Sequence, residues 1–359
     1  MLHEKVFFRH KERFFVLSNK KRCAFVRIFV YLHKFLLWFD MLNRHFLRIK
    51  VMQEVYACKQ SGLTDIAVAQ RNLLENIDSL YELFVRQLSF WVELRNFAEQ
   101  RIEENKKKNF PTEEDLNPNM KFVNNKVLCA LNENLDLAHL EEKYRIDWAE
   151  HRDNFVRAYY KKMRETEIFK AYMEKGGENT FAEDKELITS IIDEYMPDDE
   201  VLIDFFADIK PIFEDDYQAS LSLLWNYIST LSTSFNEKSM LPLVYDNLKG
   251  DDSDRDFAIK LLKKSLAEFE ENVELIGQNI SNWDINRVAL MDKILISMAV
   301  TELCNFPTIP LKVSINEYIE VSKLYSTPDS WRFINGLLDK LTEVLKQQGR
   351  INKAGKGLL

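Results

Sequence analysis

Glycine and proline are scarce in this chain, with 9 and 8 among 359 residues. Phosphate-cradling loops and doubly wound sheets use glycine at their tight turns, so a glycine-poor chain leans away from both. Cysteine is scarcer still. Cys23, Cys58, Cys129 and Cys304 lie far apart and form no CxxC pair, which removes the zinc-knuckle and thioredoxin readings. Scattered cysteines without a secretory signal suit a reducing cytoplasm, where they serve as small buried hydrophobes. No HExxH, GxSxG or P-loop pattern occurs, and no amphipathic stripe reads as a cofactor box, so neither an enzyme nor a cofactor is expected. No segment alternates apolar and polar residues as a half-buried strand would. The fold class expected is all-α.

A long uninterrupted apolar run is also missing. The stretch from Cys23 to Phe39 is short for a membrane span and is broken by Arg27, His33 and Lys34. No small-residue cleavage site follows it, so it does not read as a signal peptide either. A cytoplasmic protein with no membrane partner is the expectation.

What is present is ordinary in bulk and uneven in detail. A hydrophobic content of 46% excludes wholesale disorder. The net charge of -8 hides a partition, with basic residues near both ends and an acidic middle. Net charge governs solubility, whereas the local patch decides what binds. Residues 1–40 are basic and rich in phenylalanine, with Lys5, Arg9, Lys11, Arg13, Lys20, Lys21, Arg22 and Arg27 facing only Glu4 and Glu12 as early counter-charges. Two readings fit: a basic amphipathic arm, or a segment upstream of a true start at Met41. The second is preferred because a domain starts cleanly there.

From Met41 to Lys59 the spacing of Leu47, Val51, Val55 and Cys58 predicts an amphipathic helix. Arg44, Arg48 and Lys50 decorate its first turns, where positive charge opposes the helix dipole. Helix stability does not ask for them; an anionic partner does. After Ser61 and Gly62, a stripe from Ile66 through Leu73, Ile77, Phe84, Leu88 and Trp91 to Ile102 predicts one long helix, ending at Lys106–Lys108 before Pro111. Further helices are expected to Asn247, among them one over Trp148 to Glu174 broken by Gly176 and Gly177. The stretch from Phe181 to Tyr217 is acidic. Its Asp198, Asp199 and Glu200 follow Pro197 and fit a helix start, and no metal site is expected, since cation sites need converging carboxylates. Beyond Gly250 come a helix over Asp256 to Gln278, a helix capped by Asp284, and a helix opened by a capping box at Ser314–Glu317. Thr327-Pro-Asp329 supplies a cap, a first-turn proline and an early acid for the last helix, which buries Ile334, Leu337, Leu338, Leu341 and Leu345.

Two segments here carry a resemblance. Lys312–Lys323 (KVSINEYIEVSK) followed in register by Asp329–Lys340 (DSWRFINGLLDK) resembles the signature and last-helix motif of the NusB family. Arg44, Arg48, Gln53 and Tyr56 are placed similarly to that family's arginine-rich opening helix, although His45 and Phe46 make this arm thinner. The resemblance covers roughly 41–60 and 254–345. It implies a NusB-like helical bundle carrying a large helical insertion after the first helix. The expected organisation is a basic extension (1–40), a first helix (41–60), a partly acidic helical insert (61–250), a C-terminal NusB-like domain (251–346) and a basic flexible tail (347–359).

The resemblance also implies a function: a non-catalytic, RNA-binding transcription antitermination factor. It would bind the boxA element of nascent rRNA transcripts together with the NusE ribosomal protein, and meet other Nus factors and RNA polymerase indirectly. Single-stranded RNA is held by cations on phosphates, polar groups on base edges and aromatic faces. Arg44, Arg48, Lys50 and Arg332 would supply charge; Gln53, Asp329 and Ser330 would read polar edges; Phe333 would offer a ring. Each has a structural alternative: Gln53 and Phe333 as packing residues, Asp329 as a first-turn acid. The Asn335–Gly336 pair reads as structural, the glycine serving close helix contact. Two rival functions follow from the same resemblance. One is a scaffold for ribosome assembly with weakened boxA recognition, its acidic middle docking a basic protein or excluding other RNA. The other is the NusB-like part of an rRNA methyltransferase, for whose catalytic domain the chain leaves no room.

Overall fold

The computed structural model describes residues 44–176, 178–244, 253–280 and 285–358. The basic extension 1–40, Met41, Gly177, Gly250 and the cap expected at Asp284 lie outside these. Every extended regular element among the described residues is helical. In chain order the α-helices are α1 (Arg44–Ser61), α2 (Ile66–Lys106), α3 (Glu113–Leu116), α4 (Lys126–Asn132), α5 (Leu135–Lys143), α6 (Arg157–Arg164), α7 (Glu167–Glu174), α8 (Phe181–Glu194), α9 (Glu200–Ile209), α10 (Ile212–Thr230), α11 (Asp254–Ala267), α12 (Phe269–Asn279), α13 (Leu290–Asn305), α14 (Leu311–Tyr325) and α15 (Ser330–Gln347). A single π-helical turn, Arg152–Val156, leads into α6.

The described chain divides into two compact units. The acidic unit is Leu80–Pro242; the split unit joins residues 44–79 to 243–358. The boundaries expected at 61 and 250 therefore differ from the structural ones, and the first structural boundary falls within α2.

In the acidic unit, polar side chains start most of the helices. Asn125 accepts from the amides of Val127 and Leu128, Thr166 from Phe169, Thr180 from Glu183, and Asp199 from Val201 and Leu202. Each satisfies amides that a helix start leaves unpaired. The helix expected from Trp148 to Glu174 is three elements, because Thr166 caps a new start and the π-turn precedes α6. α8 packs against α4, α7 and α10, and α10 against α9. The centre of this unit is aromatic and aliphatic: Phe84, Leu88, Phe90 and Trp91 of α2, Phe206 of α9, and Phe213 and Tyr217 of α10 are all buried.

The split unit is built around α13, which packs against α1, α11, α12, α14 and α15. Its sequence accounts for that position. Every residue from Ile294 to Leu303 is buried, and a helix apolar nearly all round must sit inside its neighbours. The run expected as one helix over 256–278 is α11 and α12, broken at Glu268. Before the break Phe257, Leu261, Leu262 and Ser265 are buried; after it Phe269, Asn272, Leu275 and Ile276 are. The break resets which residues face α13 and leaves Leu266 and Val273 only half-buried. The 347–359 tail, expected to be flexible, is laid on the end of α13: the Ala354 amide donates to the Pro307 carbonyl at 3.0 Å and Lys353 Nζ to the Phe306 carbonyl at 2.9 Å.

Candidate nucleic-acid interface

All eight residues expected to contact RNA belong to the split unit, but the fold treats them differently. Arg48, on the buried face of α1, meets Glu302 of α13 with two parallel hydrogen bonds, Nε to Oε2 at 2.8 Å and Nη2 to Oε1 at 2.7 Å. The Ser314 hydroxyl donates to the same carboxylate at 2.7 Å and the Tyr318 hydroxyl at 3.0 Å. Glu302 is wholly buried, and its oxygens accept from all four donors. Burial works against the Arg48 charge, but the Glu302 and Glu317 carboxylates outweigh it and hold the guanidinium proton more firmly than usual. Burial, then the Glu302 charge, pushes the Tyr318 hydroxyl well above its usual range, so it remains a donor. Glu317 completes the cluster, 3.4 Å from Arg48 Nη1 and 2.9 Å from His45 Nδ1.

This corrects the reading of Ser314–Glu317 as a capping box. α14 begins earlier, at Leu311, and Ser314 lies inside it with its hydroxyl turned to Glu302. A serine followed three residues later by a glutamate has the spacing of a cap, but here the spacing places both on the helix face that meets α1 and α13. The anionic partner that Arg48 asked for is thus inside the chain. Arg44 has one as well: its Nε donates to Asp254 Oδ1 at 2.9 Å, with about a quarter of its side chain exposed. The two guanidinium carbons lie 4.9 and 5.2 Å from the ring centre of Phe257. Lys50 is buried and Gln53 half-buried on the same helix.

The second group lies at the α14–α15 turn. Ser330 is buried, its hydroxyl donating to Asp292 Oδ2 at 3.0 Å and lying 2.5 Å from the Thr327 hydroxyl; Ser326 also donates to Asp292. The cap expected at Thr327 is therefore not formed: α15 starts at Ser330, Asp329 holds the N-cap position without a side-chain cap bond, and Pro328 precedes the helix. With Ser326 and Ser330 pinned, the turn projects Asp329 and Arg332, whose side chains are 87% and 71% exposed. Phe333 is half-buried beside them. Trp331, not anticipated from the sequence, sits between two cations, with Arg332 Cζ 5.2 Å and Lys323 Nζ 5.6 Å from its ring. An aromatic residue with one basic residue eight positions before it and another immediately after it was the available signal. Gly336 corrects another expectation. It is exposed, and a methyl group added there would touch nothing within 4 Å, so close helix packing does not account for it.

The contacts that hold the α1 group run to α11, α13 and α14; those that hold the turn run to the start of α13. The chemistry left at the surface of the turn is a cation-flanked aromatic, an exposed carboxylate and a half-exposed ring. No three His, Cys, Asp or Glu side chains among the described residues converge to hold a metal ion.

The sequence model of the NusB family matches residues 224–343, from within α10 through most of α15. A transcription antitermination protein NusB of Salinibacter ruber (strain DSM 13855 / M31) is 45% identical over 123 residues, covering 34% of this chain and 77% of that protein. Its namesake in Chloroherpeton thalassium (strain ATCC 35110 / GB-78) is 34% identical over 117 residues, 33% of this chain and 56% of that protein. Another from Desulforamulus reducens (strain ATCC BAA-1160 / DSM 100696 / MI-1) is 41% identical over 88 residues, 24% and 62% respectively. No solved structure matches. Among the described residues no helix is long and apolar enough to cross a membrane.

Proposed function

This chain belongs to the NusB family, and on that premise we propose that it is a non-catalytic, RNA-binding transcription antitermination factor. It binds boxA of nascent rRNA transcripts together with the NusE ribosomal protein, and meets other Nus factors and RNA polymerase through that complex in the cytoplasm. The observation that carries the reading is the α14–α15 turn. Its serines are committed to Asp292, which fixes the backbone, while Asp329, Trp331, Arg332 and Phe333 remain at the surface with the charge, polar edge and ring that single-stranded RNA requires. Arg44 and Gln53 supply the α1 side of the interface. Arg48 acts beneath the surface, holding α1 to Glu302, and Lys50 is buried beside it on the same helix.

The test is fluorescence anisotropy with a boxA-containing RNA and a scrambled control, with and without NusE, across salt concentrations. The expected result is selective, partner-enhanced binding. Arg332→Ala should weaken it and lower the salt slope by about 0.7, the value for one phosphate contact on a single strand. Equal affinity for both RNAs with the partner present would reject the reading. It would favour instead a ribosome-assembly scaffold, for which the burial of Arg48 and Lys50 is the motivating observation.

A further inference from the structure

Residues 80–242 contain 33 Asp and Glu against 20 Lys and Arg, a net charge of −13 where the whole chain carries −8. The net charge of the acidic unit is therefore more negative than that of the whole molecule. A field of that sign repels RNA and attracts polycations. No three of its carboxylates converge among the described residues.

One face of this unit adds apolar chemistry to the charge. The π-turn takes the amides of both Phe155 and Val156 onto the His151 carbonyl, at 2.9 and 3.0 Å. Such turns are uncommon and concentrate at functional positions. This one presents Phe155 flat against Phe205 of α9, with ring centres 3.7 Å apart and planes 7° apart. His151 meets Phe205 edge-on at 5.0 Å. Behind them lie the buried rings of Phe90 and Trp148, while His151, Phe155 and Phe205 are themselves only half-buried. Along α9 the exposed residues Val201, Asp204 and Asp208 share the stripe of Phe205 at helical spacing. Asp147 and Glu150 are exposed on the approach to the π-turn. The basic groups here are engaged: Arg152 grips Glu93 through two nitrogens, and Arg157 pairs with Asp153 at 2.7 Å.

We propose that this face is a docking surface for a basic polypeptide segment, with apolar side chains seated on Val201, Phe155 and Phe205 and Lys or Arg side chains meeting Asp147, Glu150, Asp204 and Asp208. Aromatic residues at the centre of a charged rim are the usual anatomy of a protein-binding patch. The charge selects a cationic partner over a nucleic acid, whose phosphates this unit repels, and the rings give the partner's apolar side chains a seat.

The experiment uses the full chain and a fluorescein-labelled 16-residue peptide alternating Lys or Arg with Leu. A second peptide with every cation replaced by Glu serves as control. Wild type should bind the basic peptide and ignore the acidic one. Asp204→Asn with Asp208→Asn, and separately Val201→Ser, should each weaken binding about tenfold, corresponding to the loss of a central contact. All three positions are exposed, so the variants should keep the wild-type circular dichroism; Phe205→Ala is the stronger variant where it folds. Undiminished binding in either exposed-site variant would overturn the proposal, as would absence of binding or displacement of the peptide by single-stranded RNA. BoxA binding measured on the same variants should be unchanged, so failure of the RNA reading and failure of this one are separately visible.

Discussion

Arg48 and Glu302 bring two full charges into the interior of the split unit, and the energetics of such a pair are asymmetric. Desolvating both is costly, and the four hydrogen bonds on Glu302 offset much of it. Removing only one partner strands the other. Glu302→Ala should therefore destabilise the protein by about 3–5 kcal/mol, read as a lower urea midpoint. The double change Arg48→Met with Glu302→Leu should recover most of that loss; if it is as unstable as the single variant, the cost lies in packing and not in charge. Glu54 of α1 shows the opposite case. Burial raises its carboxyl above the usual 4.5, with bonds from Asn72 and Cys58 working the other way. A raised native value means that this group favours the fold when protonated, and that its contribution is lost as pH rises from the ordinary carboxylate value through the raised one. Glu54→Gln should thus be more stable than wild type at pH 7 and no more stable at pH 4. A stability gain of equal size at both pH values would show that the charge is irrelevant.

At the scale of helices, Gly336 stands out. It occupies the exposed side of α15, one turn beyond Arg332, with nothing near enough to require a bare α-carbon. Interior glycine costs a helix about 1 kcal/mol relative to alanine. Gly336→Ala should therefore stabilise α15 by about that amount, and should weaken boxA binding if the glycine lets RNA approach the backbone closely. A gain in stability with unchanged RNA affinity would remove the glycine from the interface. The helices themselves were largely legible because their signals are local: apolar spacing marked α1, α2 and α15, and the acids Asp198–Glu200 after Pro197 marked the start of α9, whose cap is Asp199. What was not legible was tertiary. Ser314 and Glu317 carry the spacing of a cap and serve a buried arginine; Thr327 carries the identity of a cap and bonds another hydroxyl. The break at Glu268 has no glycine or proline to announce it, and its side chain is held instead by Asn305 of α13 at 3.0 Å. The candidate interface was legible only in part, since Arg44 and Arg48 could be seen to need anions while nothing in their spacing said that those anions were Asp254 and Glu302.

On the scale of the molecule, one chain combines a helical unit of the NusB family with a unit of net charge −13. Because RNA binding by cations is opposed by any negative field on the same molecule, the acidic unit should penalise loosely held RNA more than RNA fixed by base contacts. Exposed carboxylates other than those assigned to the aromatic face, namely Glu114, Glu142, Glu165, Glu178, Glu186 and Glu194, make that claim testable. Converting all six to glutamine removes six negative charges without touching the split unit. At low ionic strength, where the screening length is about 30 Å at 0.01 M, the variant should bind scrambled RNA several-fold more tightly than wild type and boxA RNA only slightly more tightly. Near 1 M salt, where screening acts within about 3 Å, the two proteins should converge. Anisotropy titrations at both ionic strengths measure the ratio directly. A selectivity ratio that is the same for both proteins at low salt would mean that the acidic unit does not tune RNA choice, leaving its charge to serve a protein partner alone.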